Sequence, residues 1–159
     1  IDKTRKGNHI TGIGGKKGYI IIYIEKSMVN SEIGFARKVL SVLEYYNIGF
    51  EHMPSGIDTL SIVVADSEIA GREGVVLDKI KKTVEPDHVE IKNGISLIAT
   101  VGHGMSFKPG TAAKLCGALS AAGVNIRMID QGSSEMNIIV AVATEDYERA
   151  VRAIYEAFE

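Results

Sequence analysis

The feature of this sequence that most constrains its fold is an internal repeat. Residues 48–64 are predicted to form a strand, a turn that contains Pro and Gly, and a second strand that ends in apolar residues. The same pattern returns 76 residues later, at residues 124–140, and the same offset places Gly34 on Gly110. Because this register is kept without a gap through helix-length segments, the sequence predicts two copies of one structural unit.

Hydrophobic periodicity predicts the first elements of the first copy. A short strand at residues 9–13 and a turn at residues 14–16 precede an apolar run at residues 19–24, which is typical of a central strand. A helix that extends to residue 46 is then expected to begin with Ser31 as its N-cap and to bury Ile33.

The remaining elements follow the repeated hairpin. In the first copy these are a second helix over residues 69–84 and a brief strand at residues 89–91. The second copy is predicted to have the same order: a strand at 95–101, a helix at 109–122 with Pro109 as its first residue, the hairpin, and a helix from Thr144.

Each copy therefore has the order βαββαβ of a ferredoxin-like unit, an α+β arrangement with an antiparallel sheet and helices on one face. The second copy ends without a fourth strand, and residues 9–13 are the one predicted strand left unassigned. Since an open sheet edge leaves backbone groups unpaired, we expect this strand to cross over and complete the second unit. The first unit (residues 17–93) would then be inserted in the second (residues 94–159), after a linker at residues 1–8.

Composition and motifs argue against several classes of function. A net charge of −2 and an aromatic content of 6% disfavour nucleic-acid binding, and the longest apolar run is too short to cross a bilayer. The lone Cys116 is expected to be a packed thiol in a reducing compartment. The loop at residues 102–106 lacks the spacing of a phosphate loop, and the four His residues are scattered. We therefore predict no active site, no cofactor and no metal site.

The loops that lead into the first helix of each copy are candidate binding sites, because a helix start favours a carboxylate. Three acidic positions of the first copy carry basic or neutral residues in the second: Glu32 and Lys108, Glu51 and Arg127, Asp58 and Ser134. These three carboxylates make the surroundings of the first loop acidic, which suits a ligand that is an amino acid with a cationic side chain. The alternative is that all three are solvated surface charges.

Several segments resemble a known family. They are EHMPSGID at residues 51–58, GHGM at 102–105, PGTAAK at 109–114, NIRMI at 125–129 and QGSSE at 131–135. With the tandem topology, they resemble the carboxy-terminal regulatory region of aspartate kinases, which is built from paired ACT domains.

The resemblance implies a function and a site. It implies the regulatory part of a cytoplasmic enzyme that phosphorylates L-aspartate with ATP and is feedback-inhibited by lysine, by threonine or by both. It further implies an upstream kinase domain in the same chain, the crossing strand, and a homodimer through ACT domains. The effector-binding residues carried over to this sequence are Met28, Val29, Asn30, Ser31, Glu32, Gly34, Phe35, Gly49, Phe50, Glu51, His52, Ser55 and Asp58.

Two functions other than effector binding are compatible with this topology or exclude themselves by composition: a structural module and an RNA-binding domain. The tandem units would serve as a structural module that merely dimerises the kinase, because exposed edge strands pair readily. An RNA-binding ferredoxin-like domain would need exposed aromatic residues on its sheet, which these strands do not offer. If lysine is the effector, its α-carboxylate is expected at the helix start and its ammonium groups at Glu32, Glu51 and Asp58.

Overall fold

The computed structural model describes residues 12–102, 109–132 and 137–158. They form two compact units. The first unit is Gly18–Ile95, and the second contains the described residues from Ser96 onwards together with those up to Lys17. The strands β1 (Gly12–Glu25) and β3 (His88–Val101) each contribute residues to both units.

In the first unit the strand order is β2-β1-β3, with β2 at Thr59–Ala65. The strands β1 and β2 are antiparallel, and their ladder runs from the pair Tyr19–Ala65 to the pair Glu25–Thr59. The helices of this unit are α1 (Phe35–Tyr45), α2 (Asp66–Ile69) and α3 (Glu73–Val84), and a 3-10 helix lies at Val29–Ser31.

The core of the first unit lies between one face of its strands and the helices. Successive side chains of a strand point to opposite faces, so that alternate residues of β1 and β2 reach the same core. The buried residues that form it on the strands and on α1 and α3 are Ile20, Ile22, Ile24, Leu60, Ile62, Val64, Val89, Phe35, Val39, Val42, Leu43, Val76, Ile80 and Val84. This arrangement is an antiparallel sheet covered by helices on one face.

The second unit has the strand order β1-β3-β5-β4, with β4 at Met128–Asp130 and β5 at Asn137–Ala143. Its helices are α4 (Thr111–Ala121) and α5 (Tyr147–Phe158), the latter preceded by a 3-10 turn at Thr144–Asp146. The buried core is formed by Ile98, Leu115, Leu119, Val124, Ile138, Val140, Val142, Ala150, Ile154 and Phe158. Within the described residues, no helix is both long and apolar enough to span a membrane.

The repeat is present in the backbone as well as in the sequence. β1 and β3 both have 14 residues, α1 and α4 both have 11, and each pair starts 76 residues apart. Three pairs of residues at this offset have a positive φ: Gly18 and Gly94, Gly34 and Gly110, Asn47 and Gly123. Because few residues adopt this conformation, the shared positions indicate one backbone design used twice.

The prediction of one constant offset is wrong beyond the hairpin turn. β2 and β5 both have seven residues but start 78 residues apart. Likewise, the backbone N–H of Glu51 bonds to Val63, whereas that of Arg127 bonds to Ala141. The turn of the second unit therefore has two more residues than that of the first.

The start of the first helix also differs from the prediction. The helix α1 begins at Phe35 after Gly34, whose φ of 80° interrupts any helix that approaches from Ser31. Ser31 instead ends the 3-10 helix, where its hydroxyl donates a hydrogen bond to the carbonyl of Met28 at 2.9 Å. Ile33, which was expected in the core, is 95% exposed.

Other predicted boundaries require correction. β1 continues through residues 14–16 without a turn, and the two strands predicted at 89–91 and 95–101 are one strand, β3. The helix expected over 69–84 is divided into α2 and α3, because Gly71 has a φ of 80°. Pro109 precedes α4 rather than starting it.

Two of the predicted strands are only partly present in the described residues. Of the short strand predicted at 9–13, residues 9–11 lie outside the described residues, and Gly12 and Ile13 belong to β1. In the first unit, the first strand of the hairpin is reduced to two isolated β-bridges, His52 with Val63 and Ser55 with Leu60.

Candidate ligand-binding site

A cavity of about 370 Å³ lies at the amino end of α1 in the first unit. Its walls come from three segments: the 3-10 helix, the first turn of α1 and the hairpin turn. The lining residues are Val29, Asn30, Glu32, Gly34, Phe35, Ala36, Arg37, Ser55, Gly56, Thr59 and Leu60. This volume is within the range of sites that bind small molecules.

The helix start gives this cavity a preference for an anionic group. The N–H of Phe35 bonds to the carbonyl of Glu32 at 3.3 Å, and that of Lys38 bonds to Gly34 at 3.0 Å. Helix geometry offers no intrahelical acceptor to the N–H groups of Ala36 and Arg37, both of which line the cavity. These donors, the helix dipole and the guanidinium of Arg37 together favour a carboxylate.

The loop that precedes the 3-10 helix is held by two carboxylates. Asp58 accepts a hydrogen bond from the backbone N–H of Met28 at 2.8 Å, and Asp87 accepts one from that of Ser27 at 2.8 Å. Met28 has a φ of 60°, an uncommon conformation for a residue other than Gly. The N–H of Asn30 bonds to the carbonyl of Ile57 at 3.3 Å. The loop and the hairpin turn are thus joined, and the walls of the cavity are preformed.

Glu32, the carboxylate that lines the cavity, is already paired with cations. The ammonium of Lys26 lies 3.1 Å from its Oε2 atom, and that of Lys38 lies 3.8 Å from its Oε1 atom. Oε2 is buried and receives no hydrogen bond of favourable geometry from the residues that the structure describes, so that its charge is compensated by the nearby ammonium of Lys26. The negative charge of Glu32 is therefore balanced by cations of the protein itself in this structure.

Of the predicted site residues, six line the cavity: Val29, Asn30, Glu32, Gly34, Phe35 and Ser55. Ala36, Arg37, Thr59 and Leu60 line it as well but were not predicted from the sequence, whereas Gly56 lies in the predicted turn from Ser55 to Asp58. Ala36 and Arg37 could have been predicted from Gly34. A glycine at that position starts the helix, and the residues of the first helical turn then lie at the same end of the helix as the predicted site. Thr59 and Leu60 are positioned by the hairpin, which closes on the loop only in three dimensions.

The other predicted residues lie outside the wall of the cavity. Met28, Ser31 and Asp58 form the hydrogen bonds that hold the loop. Residues 49–52 follow the edge of β2, where the N–H of Glu51 bonds to the carbonyl of Val63 at 2.8 Å. Burial and then the negative charge of Glu51 raise the pKa of Tyr19, which pairs with Ala65. Glu51 therefore lies towards the end of the ladder opposite to Thr59.

The equivalent region of the second unit has different side chains. Thr111 and Thr100 occupy the positions of Phe35 and Ile24 at the 76-residue offset. Lys108 and Ser134 lie outside the described residues, and the longer turn means that Ser134 is not assigned as the equivalent of Asp58.

The described residues form no cluster that could hold a metal ion, and the thiol of Cys116 is only partly buried. Within the described residues, no group of three or more His, Cys, Asp or Glu is placed to hold a metal ion. Cys116 is a half-buried thiol on α4 rather than part of the core cluster.

Comparison with known protein families shows which class of domain the second unit resembles. Residues 98–158, in the second unit, match the ACT domain family. The fold agrees with this class, because an antiparallel sheet with helices on one face is present in each unit.

Similar proteins then identify the kind of ACT region. Aspartokinase 3 of Bacillus subtilis is 39% identical over 150 residues, which cover 94% of this chain and 33% of that protein. A crystal structure of Clostridium acetobutylicum aspartate kinase has a TM-score of 0.91 at 51% identity, over 99% of this chain and 37% of that one. The regulatory subunit of aspartate kinase from Thermus thermophilus, in a ligand-free form, has a TM-score of 0.81 at 25% identity, over 95% and 99% of the two chains.

The chain belongs to the regulatory ACT regions of the aspartate kinases. It spans about one third of the length of the full aspartokinases that it matches.

Proposed function

We propose that this chain is the allosteric regulatory module of an aspartate kinase, and that it binds an end-product amino acid in feedback inhibition of aspartate-family biosynthesis. The phosphorylation of L-aspartate by ATP would belong to an upstream kinase domain of the whole enzyme, in the cytoplasm. The observation that carries the proposal is the preformed cavity at the start of α1, which combines backbone donors with an arginine.

We further propose that the module consists of two ACT domains, the first (residues 17–93) inserted in the second (residues 94–159, completed by strand 9–13), after a linker at residues 1–8. The discontinuous second unit supports this proposal. Within that unit, Ile13 contacts the core, and the ammonium of Lys17 lies 2.7 Å from a carboxylate oxygen of Glu148.

The proposed ligand site combines the cavity with the loop and edge residues from Met28 to Asp58 named in the sequence analysis. The α-carboxylate of the ligand would meet the N–H groups of Ala36 and Arg37. Asn30 and Ser55 would supply polar contacts to its α-ammonium. Both residues line the cavity.

Lysine, alone or together with threonine, is the proposed effector. Glu32 is paired with Lys26 and Asp58 holds the N–H of Met28, so the exposed Glu51 is the remaining candidate acceptor for the ligand's ε-ammonium. Glu51 lies away from the cavity of its own protomer. We therefore propose that the Glu51 which meets the ligand comes from a second copy, in the homodimer that the family resemblance implies.

A thermal-shift screen of the chain with each of the twenty amino acids, and with lysine and threonine combined, tests the proposal. A ligand at one hundred times its Kd stabilises the folded state by about 2.7 kcal/mol, which is readily measured as a rise in Tm. A rise confined to lysine, threonine or their mixture is expected. No rise with any amino acid would contradict effector binding.

The alternative function, a structural dimerisation module without an effector, is favoured by one observation. Three large apolar side chains around the loop and turn are exposed: Met28 by 67%, Ile33 by 95% and Ile57 by 72%. Such residues are frequent at protein interfaces. Sedimentation at tens of micromolar distinguishes the two functions when combined with the screen, because a module that only dimerises would form a dimer and show no ligand-induced rise in Tm.

A further inference from the structure

Lys26 lies beside the cavity but outside the set of residues that the sequence analysis selected. We propose that Lys26 determines the ligand selectivity of this site by acting as the internal counter-ion of Glu32. The proposal rests on the proposed function, because it concerns the ligand of the same cavity. It assigns to the protein's own ammonium the position that a cationic group of a ligand would otherwise take.

The geometry around Lys26 is that of a fixed cation. Its Nζ atom donates hydrogen bonds to the carbonyl of Val84 at 2.6 Å and to Oε1 of Glu32 at 3.3 Å. The same atom lies 3.1 Å from Oε2 of Glu32 and 5.7 Å from the centre of the Phe35 ring. The three contacts hold the ammonium in place, since the carbonyl belongs to the end of α3 and the ring to the start of α1.

Lys26 can affect ligand binding because its partner, Glu32, lines the cavity. The Oε2 atom of Glu32 is buried without a well-formed hydrogen bond from the described residues. A carboxylate in such a position attracts the nearest available cation, because an uncompensated buried charge is costly. With Lys26 in place, the wall around Glu32 has no net negative charge, and a second ammonium from a ligand gains little there.

Lys38 is the natural comparison for Lys26. Its ammonium is 3.8 Å from Oε1 of Glu32, and its side chain is more exposed. An exposed pair at this distance contributes little, because water and salt screen it. The role is therefore assigned to Lys26, and Lys38 supplies a matched control on the same carboxylate.

The pair is a property of the first unit. At the 76-residue offset, Gly102 stands in the place of Lys26, and Lys108 stands in the place of Glu32. The second unit therefore has neither the anion nor its internal counter-ion at these positions.

Calorimetry with L-lysine and with L-norleucine, which lacks the ε-ammonium, tests the proposal on the 159-residue chain. Lys26→Met should raise the ratio of lysine affinity to norleucine affinity by about tenfold, because the carboxylate of Glu32 becomes available to the ligand. Lys26→Arg, which keeps the cation, and the control Lys38→Met should each leave the ratio within about threefold of wild type. Adding Glu32→Gln to Lys26→Met should abolish the gain.

The single variant Glu32→Gln gives the sharpest contrary outcome. If Lys26 occupies Glu32, this substitution should leave lysine affinity within about threefold of wild type. A loss of about tenfold would overturn the proposal, because Glu32 would then contact the ligand directly. This variant keeps the shape of the side chain, so the result does not depend on whether Lys26→Met folds.

The test also separates this proposal from the proposed function. If wild type binds no amino acid, the proposed function is wrong. The assignment of Lys26 is then decided by a double-mutant cycle of Lys26→Met and Glu32→Gln in urea unfolding. A coupling of about tenfold in the unfolding equilibrium constant supports an internal counter-ion, and additive effects overturn it.

Discussion

The two units share a backbone design but differ in the side chains around the start of their first helix. In the first unit, Ile24 and Phe35 are buried there, whereas the 76-residue offset places Thr100 and Thr111 at the same positions. Towards the other end of the β1–β2 ladder, the buried Ile20 has Ser96 as its counterpart at this offset. The hydroxyl of Ser96 lies 2.9 Å from that of Thr144, and the buried hydroxyl of Thr100 has no hydrogen-bond partner among the described residues.

This difference teaches that the repeat conserves conformation more strictly than chemistry. The positive-φ positions Gly34 and Gly110 start helices of equal length in the two units. The residues around them are free to change, because a helix start needs only an allowed backbone and a packed core beneath it. Substitutions made in matched pairs can therefore separate what the shared backbone requires from what a ligand requires.

The largest expected effect comes from the shared core. Leu43 and Leu119 occupy matched positions and are both almost fully buried. Leu43→Ala and Leu119→Ala should each lower the free energy of unfolding by about 3 kcal/mol, because each leaves a cavity. Urea denaturation measures both. A loss below about 1 kcal/mol for either variant would show that the two cores are not equivalent.

The second largest effect is expected from substitution of the glycines that precede α1 and α4. A Cβ atom at Gly34 would meet the side chain of Arg37 only at 3.9 Å, and one at Gly110 would meet no described residue within 4 Å. Gly34→Ala and Gly110→Ala should therefore cost roughly 1–2 kcal/mol each from backbone strain. Only Gly34→Ala should also weaken lysine binding. Equal weakening by both, measured by calorimetry, would contradict a site restricted to the first unit.

A third pair of matched substitutions tests whether a charged side chain contributes to ligand binding without affecting the fold. Glu51→Gln should weaken lysine binding at least tenfold, or about 1.4 kcal/mol, because the ligand loses the proposed acceptor of its ε-ammonium. Arg127→Gln, at the matched position, should change lysine affinity little. Equal lysine affinities for wild type and Glu51→Gln would refute the charge argument and favour threonine, whose side chain is uncharged.

The smallest expected effect sharpens the difference between the cores. Thr100→Val removes a buried hydroxyl that has no hydrogen-bond partner in the described part of the chain, and it keeps the shape of the side chain, so the free energy of unfolding should rise by about 1 kcal/mol. The matched control Ile24→Val removes one methylene from the other core and should lower it by about 1 kcal/mol. Destabilisation by Thr100→Val would mean that its hydroxyl has a role in the second unit.

Much of the fold could be predicted from the sequence because its signals are local. The repeat, the order of the elements and the apolar faces of the helices follow from the spacing of residues such as Val39 and Leu43. The helix start at Phe35 was missed because Ser31 is a good N-cap by type, whereas Gly34 interrupts the helix by its conformation. The two-residue difference in the hairpin turn was missed because Ile62 and Ile138 remain apolar in either register.

The sequence by itself predicted two copies of one structural unit and indicated the loop before α1 as the candidate site. Only the tertiary structure decided which charges meet there. Lys26 reaches Glu32 across six residues but is held by Val84, which is 58 residues away. Asp87 and Asp58 likewise hold the loop from 60 and 30 residues away. Such contacts depend on how the helices close over the sheet, and no local pattern encodes them.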